Sequence, residues 1–145
     1  MIVIPTKEEL SPKPFSAGVY KGVVSSPLQL KKTKTNKDMI VAEIIITSQG
    51  PNSTEKTIGR KLFENLVVAD NMMWNLDNFL KACTGQGLLS HFNSGDNVEI
   101  DPFFMKFNNL CSGKEVILVV GVEKITDGAR AGEDSNVIKE VRQVI

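Results

Sequence analysis

The chain has 145 residues, which is the usual length of one domain, and 41% of them are hydrophobic, enough to form a buried core. No apolar run approaches the roughly 18 residues that a membrane-spanning helix needs. The first residues, 1–5, lack the basic flank and the long apolar stretch of a signal peptide. Together these features exclude an integral membrane protein and predict a cytoplasmic protein.

Cysteine and histidine are scarce. Cys83 and Cys111 are the two cysteines, and their apolar neighbours predict buried free thiols. His91 is the one histidine, expected at the end of a helix, and the chain has no Cys-x-x-Cys motif. A structural zinc site needs four nitrogen or sulfur ligands, so we expect no metal and no cofactor.

Formal charge is balanced overall but not along the chain, which has 17 basic and 17 acidic residues. Residues 1–61 contain 10 Lys or Arg and 5 Asp or Glu, whereas residues 62–145 contain 7 and 12. This asymmetry predicts a basic surface that faces a polyanion in the first part of the chain. Because the net charge of the chain is zero, binding to a polyanion must be confined to this basic surface.

The first part of the chain reads as extended structure. Three prolines in residues 1–14 predict an irregular N-terminal arm. Phe15–Leu30 then reads as one long strand, and a basic connection leads to Met39–Thr47, the clearest strand of the chain. Lys56–Val68 is the third predicted strand.

A helical period follows. Apolar residues at helical spacing predict a helix over Trp74–Thr84, with Asn75 as its N-cap and Gly85 as its C-terminal stop. Asp101 followed by proline predicts the N-cap of a second helix, which ends near Asn109.

Two more strands complete the pattern, over Lys114–Thr126 and Val137–Ile145, and the loop between them, 127–136, is predicted to be mobile. The order is three strands, a helical insertion and two strands. We therefore expect one all-β domain with a helical insertion over residues 1–145. Its expected form is a five-stranded OB-fold-like β-barrel with the helices between strands 3 and 4.

The connection after the first predicted strand is the strongest chemical feature, because its four ammonium groups fall within seven residues. In an OB-fold this loop borders the nucleic-acid groove, so it is a candidate phosphate-binding element. A lysine-rich turn is otherwise an ordinary solvated hairpin tip. The lysines are Lys31, Lys32, Lys34 and Lys37.

The third predicted strand adds further candidates. Arg60 and Lys61 must point to opposite faces, so one of them is expected to face the groove. Phe63 shares the face of Lys61 and is either a core residue, which the usual burial of Phe favours, or a stacking platform for bases. Tyr20 is the other candidate platform, since a phenol tolerates water.

Other motifs carry no catalytic signal. Ser, His and Asp occur in no recognisable nucleophile arrangement, so we expect no enzyme. The remaining large aromatic residues are predicted to belong to the core and to helix packing. They are Trp74, Phe103, Phe104 and Phe107.

Five short segments, in this order and spacing, resemble a family of small phage and prophage single-stranded-DNA-binding proteins. They are AGVYKGVV (17–24), GRKLFENLVV (59–68), WNLDNFLKACTG (74–85), LCSGKEV (110–116) and NVIKEV (136–141). The resemblance implies an OB-fold, binding of single strands without sequence readout, and phage replication or recombination proteins as partners. It provides no binding motif that can be carried over residue by residue.

The leading hypothesis is therefore a sequence-independent single-stranded-DNA-binding protein. The sequence is compatible with a homo-oligomer, and we expect no membrane partner. The alternative is a small β-barrel that acts as a protein-interaction or virion-assembly module with no nucleic-acid role. Zero net charge and an aromatic content of only 6% favour this alternative.

Overall fold

The structure is a computed structural model that describes residues 1–6, 13–52 and 54–145. It consists mainly of β-strands, with two α-helices inserted between the fourth and fifth strands. The sequence predicts the insertion between strands 3 and 4, and the strand number differs because the first predicted strand forms two strands. The strands are β1 (Gly18–Val24), β2 (Gln29–Lys32), β3 (Asp38–Ile46), β4 (Lys61–Val67), β5 (Glu115–Lys124) and β6 (Asp134–Gln143), and the helices are α1 (Met73–Thr84) and α2 (Ile100–Cys111). Short 3-10 turns occupy Asp70–Met72 and Leu88–Ser90.

All strand pairs are antiparallel, and β3 is paired along both of its edges. One edge pairs with β1 and β2 and the other pairs with β4, while β1 also pairs with β5 and β5 with β6. Along the path β4-β3-β1-β5-β6 the two end strands are β4 and β6, which we call the edge strands, while β2 pairs with β3 alone. No ladder joins β4 to β6 within the described residues. The sheet is open at this point, instead of forming the closed barrel expected from the sequence.

There are six strands rather than five because the first predicted strand is interrupted. Its two halves, β1 and β2, both pair with β3, and residues 25–28 between them include a cis peptide bond before Pro27. On its other edge, β1 pairs with β5. The alternation of residues in a single extended segment does not indicate this break.

Strand alternation separates a buried face of the sheet from an outer one. On β3 the even-numbered residues Ile40, Ala42, Ile44 and Ile46 are fully buried. Helix α1 covers the opening between the edge strands and packs against β6, β4 and α2. Phe79 of α1 stacks on Phe107 of α2, with ring centroids 6.2 Å apart.

Helix α1 confirms the predicted helix, but its start differs. The N-cap is Met72, not Asn75, and no side chain caps the first turn. Gly85 does end the helix, with φ of 85° and its N–H donating to the carbonyl of Lys81. Trp74 was expected in the core and is instead 60% exposed, so that prediction is wrong.

The second helix and the last strand both begin earlier than predicted. Helix α2 has Glu99 as its N-cap, and it buries Phe103 and Phe107 as expected, while Phe104 is only half-buried. Strand β6 begins at Asp134, so the last three residues of the predicted loop belong to a strand.

The N-terminal arm is predicted to be irregular, and no helix or strand occurs in its described residues, 1–6 and 13–14; residues 7–12 lie outside the described part of the chain. The end of the arm is nevertheless attached to the body of the protein. Phe15 is 3% exposed, and the backbone N–H and the hydroxyl of Ser16 both donate to the carboxylate of Glu55.

Candidate nucleic-acid interface

The outer face of β3 and β4 carries the residues that the sequence placed in a binding site. We use "outer face" for residues 39, 41, 43 and 45 of β3 with residues 61, 63, 65 and 67 of β4, which alternate with the core residues. In the β3–β4 register, Lys61 lies opposite Ile45, Phe63 opposite Glu43 and Asn65 opposite Val41. Cross-strand partners share a face of the sheet, so these side chains form neighbouring rows.

Phe63 is exposed on this face. Its exposed fraction is 57%, so the expectation that burial of Phe would place it in the core is wrong. The shared face of Lys61 and Phe63, which the sequence did predict, is confirmed by the alternation of exposed and buried residues along β4. A cation and an accessible aromatic ring are thus two residues apart on one strand.

We use "lysine turn" for residues 31–37, which comprise the end of β2 and its connection to β3. Lys31 and Lys32 were expected in the connection and instead belong to β2. The backbone N–H of Thr33 donates to the carbonyl of Lys37, the Lys37 N–H donates to the Thr33 hydroxyl, and Asn36 takes a positive φ of 64°. Asn tolerates this left-handed conformation better than most residues. The turn is therefore a tight loop held by its own hydrogen bonds, and it projects its lysines into solvent.

Only one of the four lysines is neutralised within the described residues. Lys32 forms an ion pair of 2.7 Å with Asp38 across the ends of β2 and β3. Lys31 lies opposite Met39 and so shares the outer face, and it is exposed together with Lys34 and Lys37. Three ammonium groups at this end of the sheet are therefore available to an anion.

The cationic residues are arranged in a line, not in one cluster. The lysine turn adjoins Asp38 at one end of β3, whereas Lys61 lies opposite Ile45, seven residues along the same strand. At the rise of a β-strand this separation is about 23 Å. Phe63 lies between the two, so the exposed ring is flanked by positive charge at both ends of the outer face.

Glu43 weakens the positive charge of this face. Its carboxylate is 3.4 Å from the Lys61 ammonium and lies on β3 opposite Phe63. A polyanion bound here must compete with Glu43 for Lys61. The free lysines of the turn therefore carry more of any phosphate binding than Lys61 does.

Arg60 does not belong to the outer face. Its guanidinium donates to the carbonyl of Lys13 at 2.8 Å and lies 5.1 Å from the ring centroid of Phe15. Arg60 and Lys61 thus point to opposite faces, as alternation predicts, and Lys61 is the one beside Phe63. The role of Arg60 is to hold the chain that enters β1.

Tyr20 is not a stacking platform, and this expectation is corrected. The side chain is 1% exposed, its ring packs edge-on against Phe15 at 5.0 Å, and its hydroxyl donates to the carbonyl of Ser16 at 2.5 Å. Burial, and secondly the charge of Glu55, raises the pKa of Tyr20. Because tyrosine tolerates water, the sequence was compatible with both an exposed and a buried Tyr20. The strand register places its ring in the core.

An apolar area continues from the outer face across β1 and β5. Val19 is 58% exposed and lies opposite Val119, and the next outward pair is Lys21 with Ile117. Val119 and Ile117 are half-buried. Of these four side chains, Lys21 alone is charged.

A second concave surface, which the sequence did not indicate, lies where the sheet is open. We call it the edge groove. It is bounded by β4, α1 and β6, has a volume of about 550 Å³, and contains the exposed Trp74 at the start of α1. Glu64 extends into it from β4, and burial raises the pKa of this carboxyl to about 7. Alternation places Glu64 on the inward side of β4 together with Leu62 and Leu66. The sequence could therefore have indicated an inward-facing carboxyl at this position.

The cysteines are structural. Both Cys83 and Cys111 are buried and free, as predicted. A hydrogen bond with Cys83, together with burial, raises the pKa of the Cys111 thiol and disfavours its reactive thiolate. His91 follows the 3-10 turn Leu88–Ser90, as expected of a residue at a helix end.

Within the described ranges, no group of three or more His, Cys, Asp or Glu residues could hold a metal ion. No helix in that part of the chain is both long and apolar enough to cross a bilayer. No protein-family model matches the chain, and no curated protein matches it significantly.

Proposed function

We propose that this protein binds single-stranded DNA, without strong sequence preference, along the outer face of β3 and β4 and the lysine turn. The observation that carries the proposal is the exposed ring of Phe63 between Lys61 and three lysines of the turn that form no ion pair among the described residues. A strand laid along this face can place phosphates against the cations and stack a base on the ring. Base–aromatic stacking contributes about 1–3 kcal/mol per base and accepts every base.

The proposed architecture is an OB-type barrel that is incompletely closed. Taking β1 and β2 as one bent strand gives five strands in the order of an OB-fold, with the helices after the third. In that fold the loop after the first strand and the faces of the second and third strands bind nucleic acid. These correspond to the lysine turn, β3 and β4. The resemblance to phage single-stranded-DNA-binding proteins suggests a place in phage DNA replication or recombination.

A second candidate is a protein-interaction or virion-assembly module, and the apolar area of β1 and β5 favours it. Exposed apolar side chains such as Val19 mark interaction surfaces when they are contiguous. This function predicts a partner bound through the apolar area and no affinity for nucleic acid.

Fluorescence anisotropy of a labelled 30-nucleotide oligo-dT, at two salt concentrations and with duplex DNA as competitor, tests the proposal. We expect binding that the duplex does not displace and that weakens with salt, the logarithm of the affinity falling by about 0.7 per phosphate neutralised for each tenfold increase in salt. The variant Lys34→Glu/Lys37→Glu should bind at least tenfold more weakly.

The control is Lys106→Glu/Lys114→Glu, which makes the same change of charge at exposed residues of α2 and the segment before β5. Equal losses in the two variants would indicate a general effect of net charge and remove the lysine turn from the site. No binding at low salt would overturn the proposal and favour the protein-interaction module.

A further inference from the structure

The edge groove combines a flat aromatic ring with polar groups that have no other role in the structure. Trp74 is 60% exposed at the groove, although it is a large apolar residue. The Glu64 carboxyl has no hydrogen bond or ion pair within the described residues, although it is more buried than exposed. Groups desolvated in a cleft without a structural partner are candidates for ligand binding.

Amide side chains complete this polar lining. Asn75 and Asn78 project from α1 into the same groove as Glu64 and make no side-chain hydrogen bond within the described part of the protein. Each amide offers two donors and an acceptor. A planar ligand in the groove can therefore stack on Trp74. The amides can form hydrogen bonds with a ligand edge that carries both donors and acceptors.

The charged groups around Glu64 are already paired. On α1, Lys81 forms an ion pair with Asp77 at 3.0 Å. On β6, Arg142 pairs with Glu140 at 2.9 Å, and Lys139 pairs with Glu123. Glu64 is thus the one carboxyl of the groove without a cation among the residues described, and it is free to bind an N–H donor from a ligand.

We propose that the edge groove binds a nucleobase that carries an exocyclic amino group, with Trp74 stacking on the base and the Glu64 carboxyl accepting a hydrogen bond from the amino group. Guanine, adenine and cytosine have this group and thymine does not. An ionised carboxylate accepts both the amino and the ring N–H of guanine, and a protonated carboxyl pairs with the donor and acceptor of adenine or cytosine. A free nucleotide and a bound strand both present such a base, and the inference does not depend on the outer face.

Tryptophan fluorescence measures this binding directly, because Trp74 is the only tryptophan of the chain. We expect dGMP, dAMP and dCMP to quench it saturably, with dTMP at least tenfold weaker. Glu64→Gln should reduce the binding of dGMP at least tenfold, because it replaces one acceptor with donors. Glu99→Gln, an exposed carboxyl before α2, is the matched control and should leave the quenching unchanged.

Oligonucleotides distinguish the two sources of the base. Quenching by (dC)30 but not by dCMP assigns the groove to a base of the bound strand, and quenching by both extends it to free nucleotides. Equal quenching by dTMP and the other nucleotides, an unchanged response in Glu64→Gln, or no quenching by any nucleotide or strand would overturn the proposal. Anisotropy with oligo-dT reports separately on the outer face, so failure of one proposal is distinguishable from failure of the other.

Discussion

The side-chain amide of Asn136 holds the backbone of Phe15 at two points, although the residues are 121 positions apart. The Phe15 N–H donates to Oδ1 at 2.9 Å, and Nδ2 donates to the Phe15 carbonyl at 2.8 Å. This reproduces the pair of hydrogen bonds that a neighbouring strand would provide. Asn136 lies in β6, and Arg60, which also contacts the segment around Phe15, precedes β4. This segment is therefore attached near both edge strands of the open sheet.

We therefore expect Asn136→Ala to destabilise the protein by about 1–3 kcal/mol, the net value of two hydrogen bonds. Phe15→Ala keeps both backbone hydrogen bonds but should cost about 3–5 kcal/mol, because it leaves a cavity beside Tyr20. Urea unfolding measures both. Asn97→Ala, at an exposed position, is the control. A loss of stability in this variant as large as that in Asn136→Ala would show that the two hydrogen bonds of Asn136 contribute nothing specific.

Gly50 lies against the ring of Tyr20, and a methyl group there has no room. A Cβ on Gly50 would lie 2.5 Å from the Tyr20 hydroxyl oxygen and 2.6 Å from Cε1. We expect Gly50→Ala to lower the free energy of unfolding by about 1–3 kcal/mol, as overpacking does. In a double-mutant cycle, Tyr20→Phe should relieve part of this loss, since it removes the hydroxyl. Strict additivity of the two changes would contradict the predicted contact.

Glu64 makes stability depend on pH. Its folded-state pKa of about 7 lies above the usual 4.5, so between these values the folded protein retains a proton that the unfolded chain has lost. Rising pH therefore lowers the free energy of unfolding through this window, by about 2 kcal/mol when the partial exposure of the group is taken into account. Below about pH 4.5 this penalty is absent.

Glu64→Gln should remove that dependence, so its advantage over the wild type should grow from pH 4.5 to 7 and then remain constant. Urea unfolding at half-unit pH intervals measures the difference, with Glu99→Gln as the control. A difference that does not change with pH would mean that the carboxyl is solvated in the folded state.

Phe63→Ala should reduce affinity for oligo-dT by about 1–3 kcal/mol, the value of one stacked base, while Phe63→Tyr keeps most of it. Because the ring is 57% exposed, the free energy of unfolding should change little. Met105→Ala removes a comparably exposed apolar side chain from α2 and is expected to leave the affinity unchanged. Unchanged binding by Phe63→Ala would place the strand elsewhere.

Local features of the sequence determined much of the architecture. Periodicity located the β-rich segments and both helices, and Gly85 marked the end of α1 because it can take the left-handed conformation there. Alternation determined that Lys61 and Phe63 share a face and that Arg60 points away from it. Each of these depends on neighbours a few residues apart.

Only the tertiary structure decided which face of each strand became the core. Alternation allows either set of alternate residues in a strand to face the core. Pairing with β3 and β5 buries Tyr20, whereas the position of β4 beside β3 leaves Phe63 exposed. The opening between β4 and β6, covered by α1, likewise depends on elements far apart in the chain, and it leaves Trp74 and Glu64 lining one groove. The physical reason is that burial is a property of the assembled sheet, which long-range partners select and no local segment encodes.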